Sequence, residues 1–387
     1  MTGEKRLVLL GGGHTHLVVL EALARGRLAA AEVTIVAPEP VQLHAGMFPG
    51  YLEGRYTLEQ ASIDLRALAP AVGARFLTGA VERIDAGARR IVLSDGTALE
   101  FDVASAAIGG RPAGLDLPGV SQFAWFTRPV PRAVALRETL DRAAAAAGPE
   151  PLQLAVVGAG AAGVEVALAA RARLDRLGAS RAVISLFEST HLLLRDRSPA
   201  AQDEAEHALA RAEITLRLST GVTEVGPGHV RLGGGRILPA DLVIWTTGTE
   251  ASPVFRASGL PVDTKGYLLV DDDLAVRGAP GLFGAGDAVA HAHFPRLPRS
   301  GAHAARQGAV LAHNLARALG GQAGARRYTP APRSLALLST GDGRAILSYG
   351  GFATTSGWAL SLKDRLDRRF LGRFHRLSGG TPFSVQP

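Results

Sequence analysis

Two glycine turns and a few acids are the residues of this sequence whose types and spacing could do chemistry. The stretch "LQLAVVGAGAAGVEVALAA" carries Gly158, Gly160 and Gly163 in full G-x-G-x-x-G spacing behind an apolar strand. Near the start, "LVLLGGGHTHLVVL" supplies Gly11 and Gly13, but His16 stands where the third glycine belongs. Such a turn takes a strand tightly into a helix while its backbone approaches a pyrophosphate, whose charge the helix N-terminus stabilises. The implied chemistry is dinucleotide binding, once with the full pattern and once with an altered one. His14 and His16 read as packing and capping residues. No carboxylate or third histidine is close to them in sequence, so no metal site is expected.

A dinucleotide site also wants an acid at the end of its second strand, to accept hydrogen bonds from the adenosine ribose. Glu188 ends "VISLFE" and fills that place in the second copy, where its charge would repel a 2′-phosphate and favour NADH over NADPH. In the first copy "VTIVAPEP" puts Pro38 there, with Glu39 one residue late, so the corresponding ribose contact stays open.

The elements that must position these residues occur twice. Behind each turn come a helix-like segment and another strand, "EVTIVAP" from Glu32 and "AVISLFE" from Ala182. Further on, "IVLSDGTALEFDVASAAIGG" from Ile91 matches "VRLGGGRILPADLVIWTTG" from Val230, with Asp102 and Asp241 in equivalent places. The repeated layout predicts an α/β protein with two doubly wound, Rossmann-type dinucleotide-binding domains, each with a small hairpin layer before its last parallel strand.

Composition narrows the chemistry. The chain of 387 residues is 47% apolar and 20% charged, which describes a globular protein with room for two or three cores. No run of about eighteen uncharged apolar residues occurs, so no membrane-spanning helix is expected. The start "MTGEKRLVLLGGG" imitates a signal peptide, but its apolar run ends in glycines; it reads as a buried first strand, and the protein as cytoplasmic. There is no cysteine, which removes dithiol mechanisms and thiolate metal sites and assigns any redox chemistry to a bound cofactor. The net charge of +7 favours anionic partners, yet no basic stretch is interleaved with aromatics, so no nucleic acid is expected.

The stretch "YLLVDDDLAVRGAPGLFGAGDAVA" leads through a strand pair into Gly284, Gly286 and Asp287. It resembles the second FAD motif of flavoproteins with two dinucleotide-binding domains, in which the aspartate bonds the ribityl chain. Within that group the chain resembles the type II NADH:quinone oxidoreductases. It resembles still more closely the FAD-dependent oxidoreductase domain fused to selenide, water dikinase, which has a similar Gly-Gly-Gly-His-x-His turn, a Met-x-Pro-Gly loop (here Met47 to Gly50) and an "IDL" segment (here Ile63 to Leu65).

The resemblance implies a FAD site at Gly11, Gly13, His14, His16, Pro49, Val81, Gly109, Gly286, Asp287 and Ala302, and a NADH site at Gly158, Gly160, Gly163, Glu188 and Gly248. Residues 1–120 and 251–325 would form the FAD-binding domain, with the NADH-binding domain inserted at 121–250 and a C-terminal region at 326–387. Three residues take catalytic places. Glu165 stands where relatives hold a glutamate near nicotinamide and acceptor; His303 and Gln307 belong to a helix starting near Ser300 that relatives place beside the flavin and the quinone entrance. Relatives carry a glutamine where His303 stands. The implied activity is electron transfer from NADH through noncovalent FAD to a quinone or another small acceptor. Two alternatives stand beside it: a soluble NADH-dependent reductase linked to selenium metabolism, and a flavin-binding redox sensor or assembly factor with negligible turnover.

Near the C-terminus, "GWALSLKDRLDRRFLGRFHRL" spaces Trp358, Leu362, Leu366, Phe370 and Phe374 four apart, which predicts one shared apolar helical face. Around it lie six Lys or Arg residues and two aspartates. A basic amphipathic helix of this kind fits an anionic membrane surface, on the inner face of the cell membrane, and relatives reach lipid-dissolved quinone in this way. Packing on the protein's own core, or on a second subunit in a homodimer, is the competing expectation.

Overall fold

The computed structural model describes residues 4–28, 31–146, 148–295 and 297–379. The apolar run after the first basic residues becomes β1 (Lys5–Leu10), whose last four residues are buried. Helix α1 (His14–Ala24) follows, then β2 (Ala31–Ala37), β3 (Ala74–Thr78) and β4 (Val103–Ala106). A second series runs β5 (Trp125–Phe126), β6 (Gln153–Val157), α2 (Ala161–Arg176), β7 (Val183–Phe187), β8 (Ile214–Arg217) and β9 (Leu242–Trp245). The chain then returns to the first sheet as β10 (Leu282–Gly284) and continues into α3 (Gly301–Gly320).

The two parallel sheets, β10-β4-β1-β2-β3 and β5-β9-β6-β7-β8, share the order of four strands around the central β1 and β6 and differ in the edge strand, which comes last in the first series and first in the second. Their registers are equivalent too: Leu7 pairs with Val33 and Val103, and Leu154 with Ile184 and Leu242. Burial on both faces explains why these strands read as continuous apolar runs. The matched aspartates have matched work. Asp102 accepts from the Arg6 N–H at 2.8 Å and Asp241 from the Gln153 N–H at 2.7 Å, each tying the loop before the fourth strand to the start of the central one. The hairpin layers are also duplicated, Val81–Asp85 with Arg90–Leu93 and Ala98–Glu100, and Val222–Gly226 with His229–Leu232 and Ile237–Pro239. Where the chain passes between the sheets, Arg111–Pro112 and Thr249–Glu250 pair antiparallel. Helix α3 lies close on α1 because Gly308 faces it; a Cβ there would come 2.7 Å from the Thr15 carbonyl oxygen.

The C-terminal region is a three-stranded antiparallel sheet, Ala336–Ser339, Ala345–Tyr349 and Phe352–Ser356, followed by α4 (Gly357–Leu377). Ser356 caps α4 by accepting from the Ala359 N–H at 3.3 Å. The five apolar residues spaced four apart do not share one face. At about 100° per residue each step of four drifts by about 40°, so Trp358 and Phe374 end up roughly 160° apart around the axis. Trp358 is 58% exposed and Leu366 43%, whereas Phe374 and Leu371 are buried in the main core. Burying the last two contributes about 1.5–3 kcal/mol each. The basic residues divide as well, since Lys363 is only 5% exposed and points inward. Polar anchors hold the same inner face: Asp364 accepts from Arg55 at 3.1 Å and from Tyr56, Arg373 pairs with Glu21, and His375 Nε2 meets the Ser62 carbonyl at 2.8 Å. Among the described residues no helix is long and apolar enough to cross a membrane.

Candidate active site

The glycine turns are built alike. Gly11 and Gly158 have φ of +100° and +101°, and a Cβ at Gly11 would lie 2.4 Å from the Ala107 carbonyl oxygen. Only glycine accepts both that conformation and that approach. Gly13 and Gly160 are the residues before α1 and α2; neither helix has a side-chain cap or an acid in its first turn, and no atom lies within 4 Å of where a Cβ on either glycine would stand. Each turn therefore offers unpaired N–H groups and the positive end of a helix dipole to open space, which suits a diphosphate.

The third position differs, for a visible reason. At Gly163 a Cβ would collide with the Gly158 carbonyl oxygen at 1.7 Å, and that oxygen accepts from the Thr246 hydroxyl at 3.0 Å. In the first turn His16 replaces the hydroxyl as donor, with its Nδ1 2.6 Å from the Gly11 carbonyl oxygen and its Nε2 3.0 Å from Ser105 Oγ. A carbonyl can only accept, so Nδ1 carries the proton and the Ser105 hydroxyl donates to Nε2. Burial pushes the imidazole down to about 4, so it is neutral. His16 is thus a strut of the turn, in agreement with its reading as a packing residue. Among the described residues no group of side chains is arranged to hold a metal ion.

Glu188 follows β7 directly and accepts from the Ala159 N–H at 3.0 Å, the Thr190 N–H at 2.9 Å and the Thr190 hydroxyl at 2.9 Å. Burial works to raise its pKa, but these hydrogen bonds outweigh it and hold the carboxylate below its ordinary value. The acid is thereby fixed as an anion at the mouth of the second turn. At the first turn the side chains of Gln42 and Leu65 lie over Gly12, and Gln42 Nε2 donates to the Glu39 carbonyl at 2.9 Å.

Gly286, with φ of +70°, brings Asp287 to the end of β10. Burial raises the Asp287 carboxyl above its ordinary value, against the pull of Arg128 and Arg299. Gln307 fixes this corner: Oε1 accepts from the Gly286 N–H at 2.6 Å, and Nε2 lies 2.9 Å from His291 Nε2. His303 Nδ1 is 2.7 Å from the Tyr328 hydroxyl. Both side chains are buried and use these polar atoms within the protein. The start of α3 is open, with Gly301 and Ala302 exposed and Ser300 capping by accepting from the His303 N–H at 3.3 Å. Of the remaining residues, Pro49 is the second residue of the buried helix Phe48–Glu53, Val81 begins a hairpin layer, Gly109 takes φ of +72° just after β4, and Gly248 accepts from the Ala113 N–H at 2.9 Å.

Glu165 lies in α2 with 8% exposure, accepting from the Ser339 N–H at 2.8 Å. Its Oε1 is 3.9 Å from Lys363 Nζ. Burial pushes this carboxyl up to about 7, although Lys363 and the Ser339 N–H both favour its charge. Lys363 also donates to Asp367 at 2.9 Å and to the Gly46 carbonyl at 2.5 Å. Burial opposes the lysine's charge, but the two carboxylates prevail and its pKa is raised. Sequence reasoning missed Lys363, Asp367 and His44, which meet here from remote parts of the chain.

Comparisons with known proteins fit this geometry. The profile of the family described as pyridine nucleotide-disulphide oxidoreductase matches residues 5–308. Demethylphylloquinone reductase NdbB of Synechocystis sp. is 30% identical, with 99% of this chain and 96% of that protein aligned. An NADH dehydrogenase-like protein of Mycobacterium tuberculosis is 33% identical, but over 58% of this chain and 57% of its own length, so the match spans little more than half of that relative. NDH2 of Plasmodium falciparum in complex with NADH superposes with a TM-score of 0.80 over 99% of both chains at 14% identity, a likeness of fold alone. Because the profile spans residues 5–308, from β1 into α3 and through both glycine turns, the chain, which contains no cysteine, belongs to the pyridine nucleotide-disulphide oxidoreductase family.

Proposed function

We propose that this protein is an FAD-dependent NADH oxidoreductase that passes electrons to a quinone or a similar small acceptor. The observation that carries the reading is the duplicated turn, with open, acid-free helix N-termini behind Gly13 and Gly160 and a fixed anionic acid, Glu188, at only one of them. The residues fit FAD at the first turn: no protein atom lies within 4 Å of where a Cβ on Gly13 would stand, so a pyrophosphate can approach, and the half-buried Asp287 carboxyl at the Gly286 corner can accept from a ribityl hydroxyl. FAD bound there would supply two-electron chemistry, linking hydride loss from NADH to reduction of the acceptor. In this reading residues 1–120 and 251–325 bind FAD, residues 121–250 bind NADH, and residues 326–387 complete the acceptor side.

The chain's own residues do the rest. The N-terminus of α1 holds one pyrophosphate and that of α2 the other. Glu188 accepts from the ribose hydroxyls of NADH and repels a 2′-phosphate. Glu165, its pKa lifted by burial to about 7, is partly protonated at neutral pH and can donate a proton to an acceptor oxygen, and Lys363 stabilises the carboxylate left behind. His303 and Gln307 hold the open end of α3 and the Gly286 corner in place. Support for the quinone comes from the relatives, among them the demethylphylloquinone reductase and the type II NADH:quinone oxidoreductase NdhA of Mycobacterium tuberculosis.

A place on an anionic membrane surface is favoured by the outer face of the C-terminal region. There Trp358 and Leu366 are exposed beside the exposed Arg365 and Arg369, and Phe352 of the preceding strand is 60% exposed.

The test is reconstitution. The purified chain should hold noncovalent FAD, Asp287→Ala should lose most of it, and NADH should be consumed with quinones faster than with oxygen or selenium compounds. A chain that cannot be loaded with FAD overturns the reading. Flavin bleached by NADH without turnover on any acceptor would favour the sensor, and a preference for selenium compounds the reductase that the first turn resembles.

A further inference from the structure

A line of polar side chains runs inward from Glu165 and crosses between the two nucleotide-binding halves. Lys363 Nζ is 3.9 Å from Glu165 Oε1 and 2.9 Å from Asp367 Oδ2. Asp367 Oδ1 is 3.1 Å from His44 Nε2, and His44 Nδ1 is 2.7 Å from His14 Nε2. His14 is the first residue of α1 and lies against the first residue of α3, where a Cβ on Gly301 would come 3.2 Å from its Nε2. Phe370 stacks on both rings, with centroids 5.2 and 5.5 Å away.

The direction of each hydrogen bond follows from what its partners can do. Asp367 is held down at about 2 despite its burial, by the His44 hydrogen bond and by Lys363, so it is an anion and only accepts. His44 Nε2 therefore carries a proton, and in the starting state of the path His14 Nε2–H donates to His44 Nδ1. That leaves His14 Nδ1 with a free lone pair. Burial and the neighbouring His44 push His14 down to about 3, so this ring is neutral. Two imidazoles in series lead through hydrogen bonds of 2.7, 3.1 and 2.9 Å to a carboxylate and an ammonium, and a short movement of the lysine side chain closes the remaining 3.9 Å to Glu165. Stability does not require it, because the contacts of Asp364, Arg373, Leu371 and Phe374 already dock α4, and buried charges stabilise a fold poorly.

We propose that His14, His44 and Asp367, linked through Lys363, form a proton relay that restores the proton Glu165 gives to the acceptor. The proposal rests on the oxidoreductase reading. Its balance is NADH + H⁺ + quinone → NAD⁺ + quinol: hydride brings both electrons and one hydrogen, and the second hydrogen is a proton from the medium. The Glu165 O–H bond breaks as a quinol O–H bond forms, and a Lys363 proton rebuilds the carboxyl. The His44 Nε2 proton passes by way of Asp367 to the lysine amine. The His14 Nε2 proton moves to His44 Nδ1, and a proton from the medium binds His14 Nδ1; both rings then carry their proton on Nδ1, and each turns over to restore the starting tautomer before the next turnover. No electrons move along this path. The charged groups acting on the Glu165 end are Lys363 and Asp367 of α4 and Arg55, which follows the helix Phe48–Glu53; those acting on His14 are His44 and Asp367.

The experiment uses flavin-loaded protein and His44→Phe, which keeps the ring stack and removes both hydrogen bonds. Proton uptake, followed with an indicator dye while ubiquinone-1 reoxidises the NADH-reduced enzyme, should slow on the order of a hundredfold. The NADH half-reaction should slow far less, and added imidazole should restore proton uptake in His44→Gly. Equal slowing of both half-reactions, or unchanged proton uptake, overturns the relay. A second measurement needs neither activity nor a folded variant: ¹⁵N-histidine NMR of the wild type should show Nε2–H tautomers for two neutral rings, with scalar coupling across the His14–His44 hydrogen bond. Nδ1–H tautomers or absent coupling overturn it as well. If the protein neither binds FAD nor oxidises NADH, the oxidoreductase reading fails and the proposed use of the path with it, while the NMR result still decides whether the path exists.

Discussion

Lys363 Nζ of α4 lies 3.9 Å from Glu165 Oε1 of α2, so the C-terminal helix supplies the counter-charge for the acid of the second nucleotide-binding half. Both side chains are buried, at 5% and 8% exposure; the lysine is also paired with Asp367 at 2.9 Å, whereas the Glu165 carboxylate depends on Lys363 for its counter-charge. In the proposed function the C-terminal region is therefore part of the acceptor side.

Glu165→Gln should slow flavin reoxidation by quinone more than flavin reduction by NADH. In the wild type the reoxidation rate should fall as pH rises through about 7, where the carboxyl loses its proton, and in the variant that dependence should vanish. Stability has a linked sign. The folded-state value of about 7 exceeds the ordinary 4.5, so between these values the folded chain binds more protons than the unfolded one. This group's contribution to stability is therefore present at low pH and is lost as pH rises through about 7. Denaturation profiles of wild type and variant across pH 4 to 8 check the sign; a contribution that grows with pH would contradict the burial argument.

Glu188→Ala should raise the KM for NADH about tenfold or more, since hydrogen bonds to a charged group are worth roughly 1.5–3 kcal/mol. The wild type should prefer NADH to NADPH and the variant should discriminate less. Steady-state kinetics with both nucleotides decide it, and unchanged NADH kinetics would remove Glu188 from the site.

His16→Gly completes the G-x-G-x-x-G pattern and yet should destabilise the protein. It takes the partner from the Gly11 carbonyl and the Ser105 hydroxyl, both of which bond the imidazole. Leaving one such buried group unsatisfied costs about 1–3 kcal/mol, before the lost packing is counted. Chemical denaturation of the flavin-loaded protein measures the loss; an equal or higher midpoint would show that the histidine is not a strut.

For the membrane surface, Trp358→Ser combined with Arg365→Ser and Arg369→Ser should reduce cosedimentation with anionic vesicles at low salt. Each basic residue near such a surface contributes about 1 kcal/mol, so removing two weakens binding by roughly tenfold or more, before the tryptophan is counted. The inner anchors of α4 are untouched, so flavin content should be unchanged. Binding that survives the triple substitution would place the contact elsewhere.

The sequence by itself determined the paired nucleotide-binding halves, because strand, glycine turn, helix and strand are neighbours in the chain and their constraints are local. Gly11, Gly158 and Glu188 could be placed from spacing alone, and the structure sets the two glycines at nearly equal φ. Tertiary structure decided what the remaining polar residues do. His14 and His44 are 30 positions apart and His44 and Asp367 are 323 apart, so no periodicity announces that they meet. His303 and Gln307 were legible as members of a helix, but which groups their side chains reach depended on Tyr328, Gly286 and His291. The C-terminal stripe misled because spacing by four drifts around a helix of 3.6 residues per turn. Which arc faced inward was fixed by what α4 packs against, and that surface buried Lys363 and left Trp358 outside.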